Sequence, residues 1–148
     1  MFRDGMARLL VFQLGAERFA VALDSVDEVI DVPIVQPLPD ALPNVRGITT
    51  VHGALVTVYD PRPLLNVVDG FDGAALVFVR DSRRVALAVD DVFDAITVRE
   101  SELRSAPGAG GADGILIGVI RVGNDLFAVI DATALLNAAM VVSEGERM

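Results

Sequence analysis

Two stretches of this chain repeat two others in the same order. Leu10, Val11, Phe12, Arg18, Ala20, Ala22, Asp24, Val26, Ile30 and Val32 recur, displaced by 66 residues (10 to 76), as Leu76, Val77, Phe78, Arg84, Ala86, Ala88, Asp90, Val92, Ile96 and Val98. Gly47, Val51, Leu55, Val58, Asp60, Leu64, Leu65 and Asn66 recur, displaced by 71 residues (47 to 118), as Gly118, Val122, Leu126, Val129, Asp131, Leu135, Leu136 and Asn137. The change of displacement asks for about five extra residues in the second copy, and the Gly- and Ala-rich run from Ser105 to Gly114 is a loop able to hold them. Two blocks that stay in register and share polar as well as apolar positions describe one unit written twice. The consequence is two similar subdomains side by side, with a seam between them.

Each copy is marginal alone at its size, so the halves, about 8–70 and 74–138, are expected to fold as one cooperative domain over 8–138. With 53% apolar residues the chain has enough material for the core, and its mean hydropathy of +0.53 raises the question of a membrane span. The best candidate, Leu126 to Val142, contains Asp131, Thr133 and Asn137, and a carboxylate at a span centre costs roughly 2.5–3.5 kcal/mol. Membrane insertion is therefore rejected. Met1 to Met6 lacks the apolar stretch of an export signal, which makes a cytoplasmic location the expectation.

The absence of cysteine excludes disulfides, thiolate metal sites and thiol nucleophiles. A net charge of −9 opposes nucleic acid, whose binding rests on neutralising phosphates. The basic residues are all arginine, a type enriched at protein interfaces, although a GC-rich codon bias explains this and the abundant Ala, Val, Gly and Asp more simply.

Short punctuated apolar runs predict an all-β fold. Leu9 to Leu14 and Phe19 to Leu23 read as a hairpin, and Ala75 to Arg80 with Val85 to Val89 as its copy. An acidic, helix-like turn is expected after each hairpin, the first carrying the capping-box pattern Ser25-Val26-Asp27-Glu28 and ending at Val32-Pro33. After a proline-marked loop, Val45 to Val51 and Ala54 to Tyr59 form a hairpin hinged at His52-Gly53, copied by Ile115 to Val122 and Leu126 to Ile130. Asp131 to Val142 spaces apolar residues as a helix does, with Asp131 as its cap, and Ser143 to Met148 reads as a flexible tail.

No catalytic constellation assembles from these residues. Asp60 and Asp131 occupy matching repeat positions and define the one enzymatic alternative, a hydrolase with a carboxylate dyad, but the small hydroxyl residue and Gly such a motif needs do not follow either Asp. Each is better read as a cap on the segment after a strand. The acidic runs Asp24, Asp27, Glu28, Asp31 and Asp90, Asp91, Asp94 lack the glycine and distal glutamate of a calcium loop, and the lone His52 lacks partners for a metal site or a triad. Neither a cofactor nor a metal is expected, and binding becomes the working class.

Leu10-Val11-Phe12-Gln13-Leu14-Gly15, Val26-Asp27-Glu28-Val29, Val45-Arg46-Gly47-Ile48 and His52 through Arg62, together with Ile117-Gly118 through Leu135-Leu136, resemble the CheW-like family of bacterial chemosensory adaptors. The resemblance runs from Leu9 to Asn137. It implies two SH3-like five-stranded barrels flanking a hydrophobic groove, no enzymatic activity, and two partners: the cytoplasmic tip of a methyl-accepting chemoreceptor and the regulatory domain of a CheA-type histidine kinase. Val26, Glu28, Gly47, His52 and Gly53 fall at positions the family uses for receptor or kinase contact. At His52 the chain departs from the family's Asn-Leu-Arg-Gly, reading Thr50-Val51-His52-Gly53, and Thr57 and Pro61 replace a common Pro and Leu. Imidazole offers fewer donors than guanidinium and only a conditional charge. That change suggests an adaptor of a divergent chemosensory system, for pili or gliding, or a domain that has lost receptor binding and fills array positions.

Overall fold

Residues alternating between two buried faces build the first hairpin, β1 (Met6–Leu14) and β2 (Glu17–Ala22), and its repeat β6 (Ala74–Arg80) and β7 (Arg83–Val89). The computed structural model describes residues 1–39, 41–105 and 114–145, with side chains through 140. The remaining strands are β3 (Glu28–Asp31), β4 (Val45–Val51), β5 (Ala54–Tyr59), β8 (Asp91–Arg99), β9 (Leu116–Val122) and β10 (Asp125–Ile130), and one helix, α1 (Ala132–Gly145), follows. The Ser105 to Gly114 insertion lies largely outside the described residues. α1 continues into the stretch read as a tail, and 146–148 are not described.

Two five-stranded sheets result, with strand orders β8-β1-β2-β10-β9 and β3-β6-β7-β5-β4. The architecture is the all-β, two-barrel one that the sequence predicts. Each sheet nevertheless draws on both repeats, because the hairpin of one half pairs with three strands of the other. Each also curls until its edges meet, through Gln36 bridging Ile48 in one sheet and Arg104 bridging Val119 in the other.

The exchange explains the high hydropathy. Leu10, Phe12 and Leu14 of β1 meet Leu76 and Phe78 of β6 in a central core that α1 caps with Leu135, Leu136 and Ala139. The alternate residues Leu9 and Val11 face the interior of one barrel with Ile120 and Phe127, and Ala75 and Val77 face the other with Val56 and Val58. Hairpins buried on both faces need apolar residues at nearly every position, unlike one-sided strands. The described residues contain no helix long and apolar enough to cross a membrane.

The acidic turns differ from expectation. A 3-10 turn covers Leu23–Ser25, Ser25 Oγ donates to the Ala22 carbonyl at 2.6 Å, and Glu28 already begins β3 instead of closing a capping box. The second copy is wholly extended as β8. Strand pairing decides the conformation: β3 docks on β6 from Glu28 opposite Val77 to Asp31 opposite Ala74.

Candidate partner-binding site

β3 and the β4–β5 turn bring Glu28 and His52 together. His52 and Gly53 both take positive φ, 50° and 81°, as a two-residue type I′ hairpin requires. The turn presents His52 Nε2 2.7 Å from Glu28 Oε1, with the side chains 67% and 31% exposed. The neighbouring Asp27 Oδ2 accepts from Arg84 Nε at 3.1 Å, so consecutive carboxylates clamp β3 to two different hairpins. Val26 packs against the central core and lines a groove of about 390 Å³ with Phe78 and Leu136.

Gly47 plays a different part. Its φ is 149°, and a Cβ there would stand 2.1 Å from the Gln36 carbonyl oxygen. Gln36 and Ile48 exchange backbone hydrogen bonds of 2.8 and 2.9 Å, and Thr49 Oγ1 donates to the Ile34 carbonyl at 2.7 Å, so Gly47 admits the crossing segment that closes the barrel. Gly118 repeats the device beneath Arg104. Of the five candidate residues, Glu28 and His52 touch, Gly53 completes their turn, Val26 floors the adjoining groove, and Gly47 shapes the barrel wall.

Asp60 and Asp131 each serve their own turn. Asp60 follows β5 in one sheet, and its Oδ1 accepts from the Arg62 amide at 3.0 Å and from Arg62 Nη1 at 3.1 Å. Asp131 follows β10 in the other sheet, where its Oδ1 accepts from the Ala134 amide at 3.1 Å at the start of α1. The capping reading accounts for both carboxylates, and the hydrolase dyad has no support in these contacts. Among the described residues, no three His, Cys, Asp or Glu side chains gather to hold a metal.

Sequence reading missed the buried ion cluster at Arg62. Its Nη2 donates to Asp90 Oδ1 at 2.8 Å and to the Phe71 carbonyl at 2.6 Å, while Nη1 reaches Asp60 and, at 3.4 Å, Asp72. Asp90 also accepts the amides of Gly15 and Phe71. Burial works against the guanidinium charge, but the hydrogen bond with Asp90 and the charge of Asp60 outweigh it, so the Arg62 pKa is raised. The cluster ties the β1–β2 turn to the loop before β6. Its available signal was a lone arginine between two prolines, Pro61-Arg62-Pro63, with Asp residues on either side.

Comparison with known proteins gives the family and the fold. The profile of the CheW-like domain matches residues 8–140. Chemotaxis protein CheW of Bacillus subtilis (strain 168) is 27% identical over 136 residues, covering 88% of this chain and 86% of that protein. Chemotaxis protein CheW of Treponema pallidum (strain Nichols) is 23% identical over 146 residues, covering 91% and 85%. Among solved structures, the scaffolding protein TtCheW from Thermoanaerobacter tengcongensis shares the fold with a TM-score of 0.72 at 18% identity, over 84% of this chain and 88% of that one.

Proposed function

This chain belongs to the CheW-like family, and from that premise we propose that it is a non-enzymatic adaptor, coupling the cytoplasmic tip of a methyl-accepting chemoreceptor to a CheA-type histidine kinase. The observation that carries the reading is the family match over residues 8–140. Such a role needs separate docking surfaces on one stiff body, and a central core shared by both barrels supplies the stiffness. Exposed apolar side chains supply candidate surfaces at two repeat-related hairpins, Leu55 at 74% and Leu126 at 62% exposure. Val26 and the Glu28–His52 pair form the receptor- or kinase-contact region of this reading, with Gly47 and Gly53 holding its backbone.

The test is co-elution and calorimetric titration of the purified protein with the regulatory domain of its cognate kinase, then with a receptor-tip fragment. Binding to both, with a ternary complex, is expected. No complex with either at tens of micromolar, roughly −6 kcal/mol, would remove the coupling role.

A further inference from the structure

The internal duplication supplies a built-in control for one groove. In each sheet the halves join by a short parallel pairing: Phe19 and Ala20 of β2 with Ala128 and Val129 of β10, and Ala86 and Leu87 of β7 with Val58 and Tyr59 of β5. At the first junction Arg18 ties the two strands. Its Nη1 lies 3.2 Å from Asp125 Oδ2, and its guanidinium carbon sits 5.1 Å over the Phe93 ring.

The repeat-related residues at the second junction are Arg84, Ala54 and Asp27. The strand-to-strand tie is missing there, since Ala54 stands where Asp125 would, and Arg84 instead pairs with Asp27 at 3.1 Å. A groove of about 910 Å³ runs between the 54–57 strip of β5, the β6–β7 hairpin and Met140 of α1. Leu55 and Val79 offer it exposed apolar side chains. Arg80, Arg83 and Arg84 line it in a chain whose net charge is −9, and among the described residues Asp81 is the single acidic one on its lining. Arg80 donates to Asn137 Oδ1, which fixes that side of the cleft. The positive φ of Asp81 and Ser82, 50° and 65°, defines a tight hairpin that holds Arg80 and Arg83 opposite one another.

We propose that this groove docks an extended, carboxylate-bearing segment of a partner protein. The partner's carboxylate takes beside Arg83 and Arg84 the place that Asp125 takes on Arg18, where the planar guanidinium fork suits it. Alternate apolar side chains of the segment lie on Leu55 and Val79, as in recognition of an added strand. This inference does not depend on which proteins the adaptor couples.

The experiment uses the full chain and two fluorescein-labelled octapeptides, one alternating Val with Glu and one alternating Val with Lys, followed by fluorescence anisotropy at ~50 mM salt. The Val–Glu peptide should bind and the Val–Lys peptide should not. Ala54→Asp, which installs the carboxylate present at the other junction, should weaken binding at least about tenfold. Arg84→Gln, which keeps much of the aliphatic stem, should do the same, with circular dichroism confirming that both variants are folded. Failure of the wild type to bind the Val–Glu peptide, equal binding of both peptides, or unchanged affinity in Ala54→Asp would overturn the proposal. Self-association of the wild type, abolished by either variant in sedimentation velocity, would assign the groove to a second copy and overturn it as well.

Discussion

Glu28, at the start of β3, and His52, in the β4–β5 turn of the same barrel, are in direct contact, with His52 Nε2 2.7 Å from Glu28 Oε1. His52 therefore faces a carboxylate of its own chain. Because both side chains reach solvent, the pair should contribute only about 0.2–1 kcal/mol to stability. A double-mutant cycle of Glu28→Gln and His52→Gln, followed by urea denaturation, should return a coupling in that range. His52→Arg should preserve or strengthen it; a coupling of zero in wild type would show that the contact does not persist in solution.

Gly47 and Gly53 should separate structure from binding. At Gly47 a methyl group meets the Gln36 carbonyl and the φ of 149° is strained for an L residue, so Gly47→Ala should lower stability by roughly 2 kcal/mol or more. Gly53 has a φ of 81° but nothing within 4 Å of an added Cβ, so Gly53→Ala should cost only about 1 kcal/mol. The urea midpoints decide the order. If Gly47→Ala is as stable as wild type, the barrel-closing role of this glycine is wrong.

Much of this fold was legible because the turn chemistry is explicit. His52-Gly53 marks a hairpin, and β4 and β5 begin and end where the apolar runs around it do. The stretch Leu23 to Asp31 misled because capping-box spacing is satisfied by residues whose conformation is settled by a distant strand, β6. Exchange of hairpins between barrels was hidden for a different reason: repetition shows which residues are equivalent, not with which copy each one pairs. The two Leu-Leu-Asn segments illustrate the same limit. Prolines and the left-handed Asn66 hold the first to a 3-10 turn over Arg62–Leu65, whereas the second continues within α1. Of the candidate site, the Glu28–His52 contact was unreadable because it joins residues 24 apart in the chain. The Arg62 cluster was hidden in the same way, since Asp90 sits in an acidic run that looks solvated.

That cluster yields a sharper expectation than its burial alone suggests. Asp90 serves Arg62 and two backbone amides, so Asp90→Ala should cost about 3–5 kcal/mol by leaving donors and a buried cation short of a partner. Arg62→Ala should cost a similar amount. The double variant should lose clearly less than the sum, because each single change strands the other's charge. Additive losses in chemical denaturation would show that the two residues act independently.

The shared central core makes a claim about cooperativity. Phe12 and Phe78 hold equivalent positions in the two repeats, are both buried, and lie in the same cluster rather than in separate barrel interiors. Phe12 also stacks on Phe19 with ring centroids 5.8 Å apart, whereas the position equivalent to Phe19 beside Phe78 is Val85. Phe12→Ala and Phe78→Ala should each destabilise the whole chain by roughly 3–5 kcal/mol, the cost of truncating a buried phenylalanine. Loss of the aromatic stack should place Phe12→Ala at the higher end. Since every sheet contains strands of both repeats, neither barrel can unfold without removing the partners of the other. Wild type and both variants should therefore melt in one calorimetric transition, with the van't Hoff and calorimetric enthalpies equal. Two resolved transitions in the wild type would mean that the exchanged hairpins do not couple the barrels.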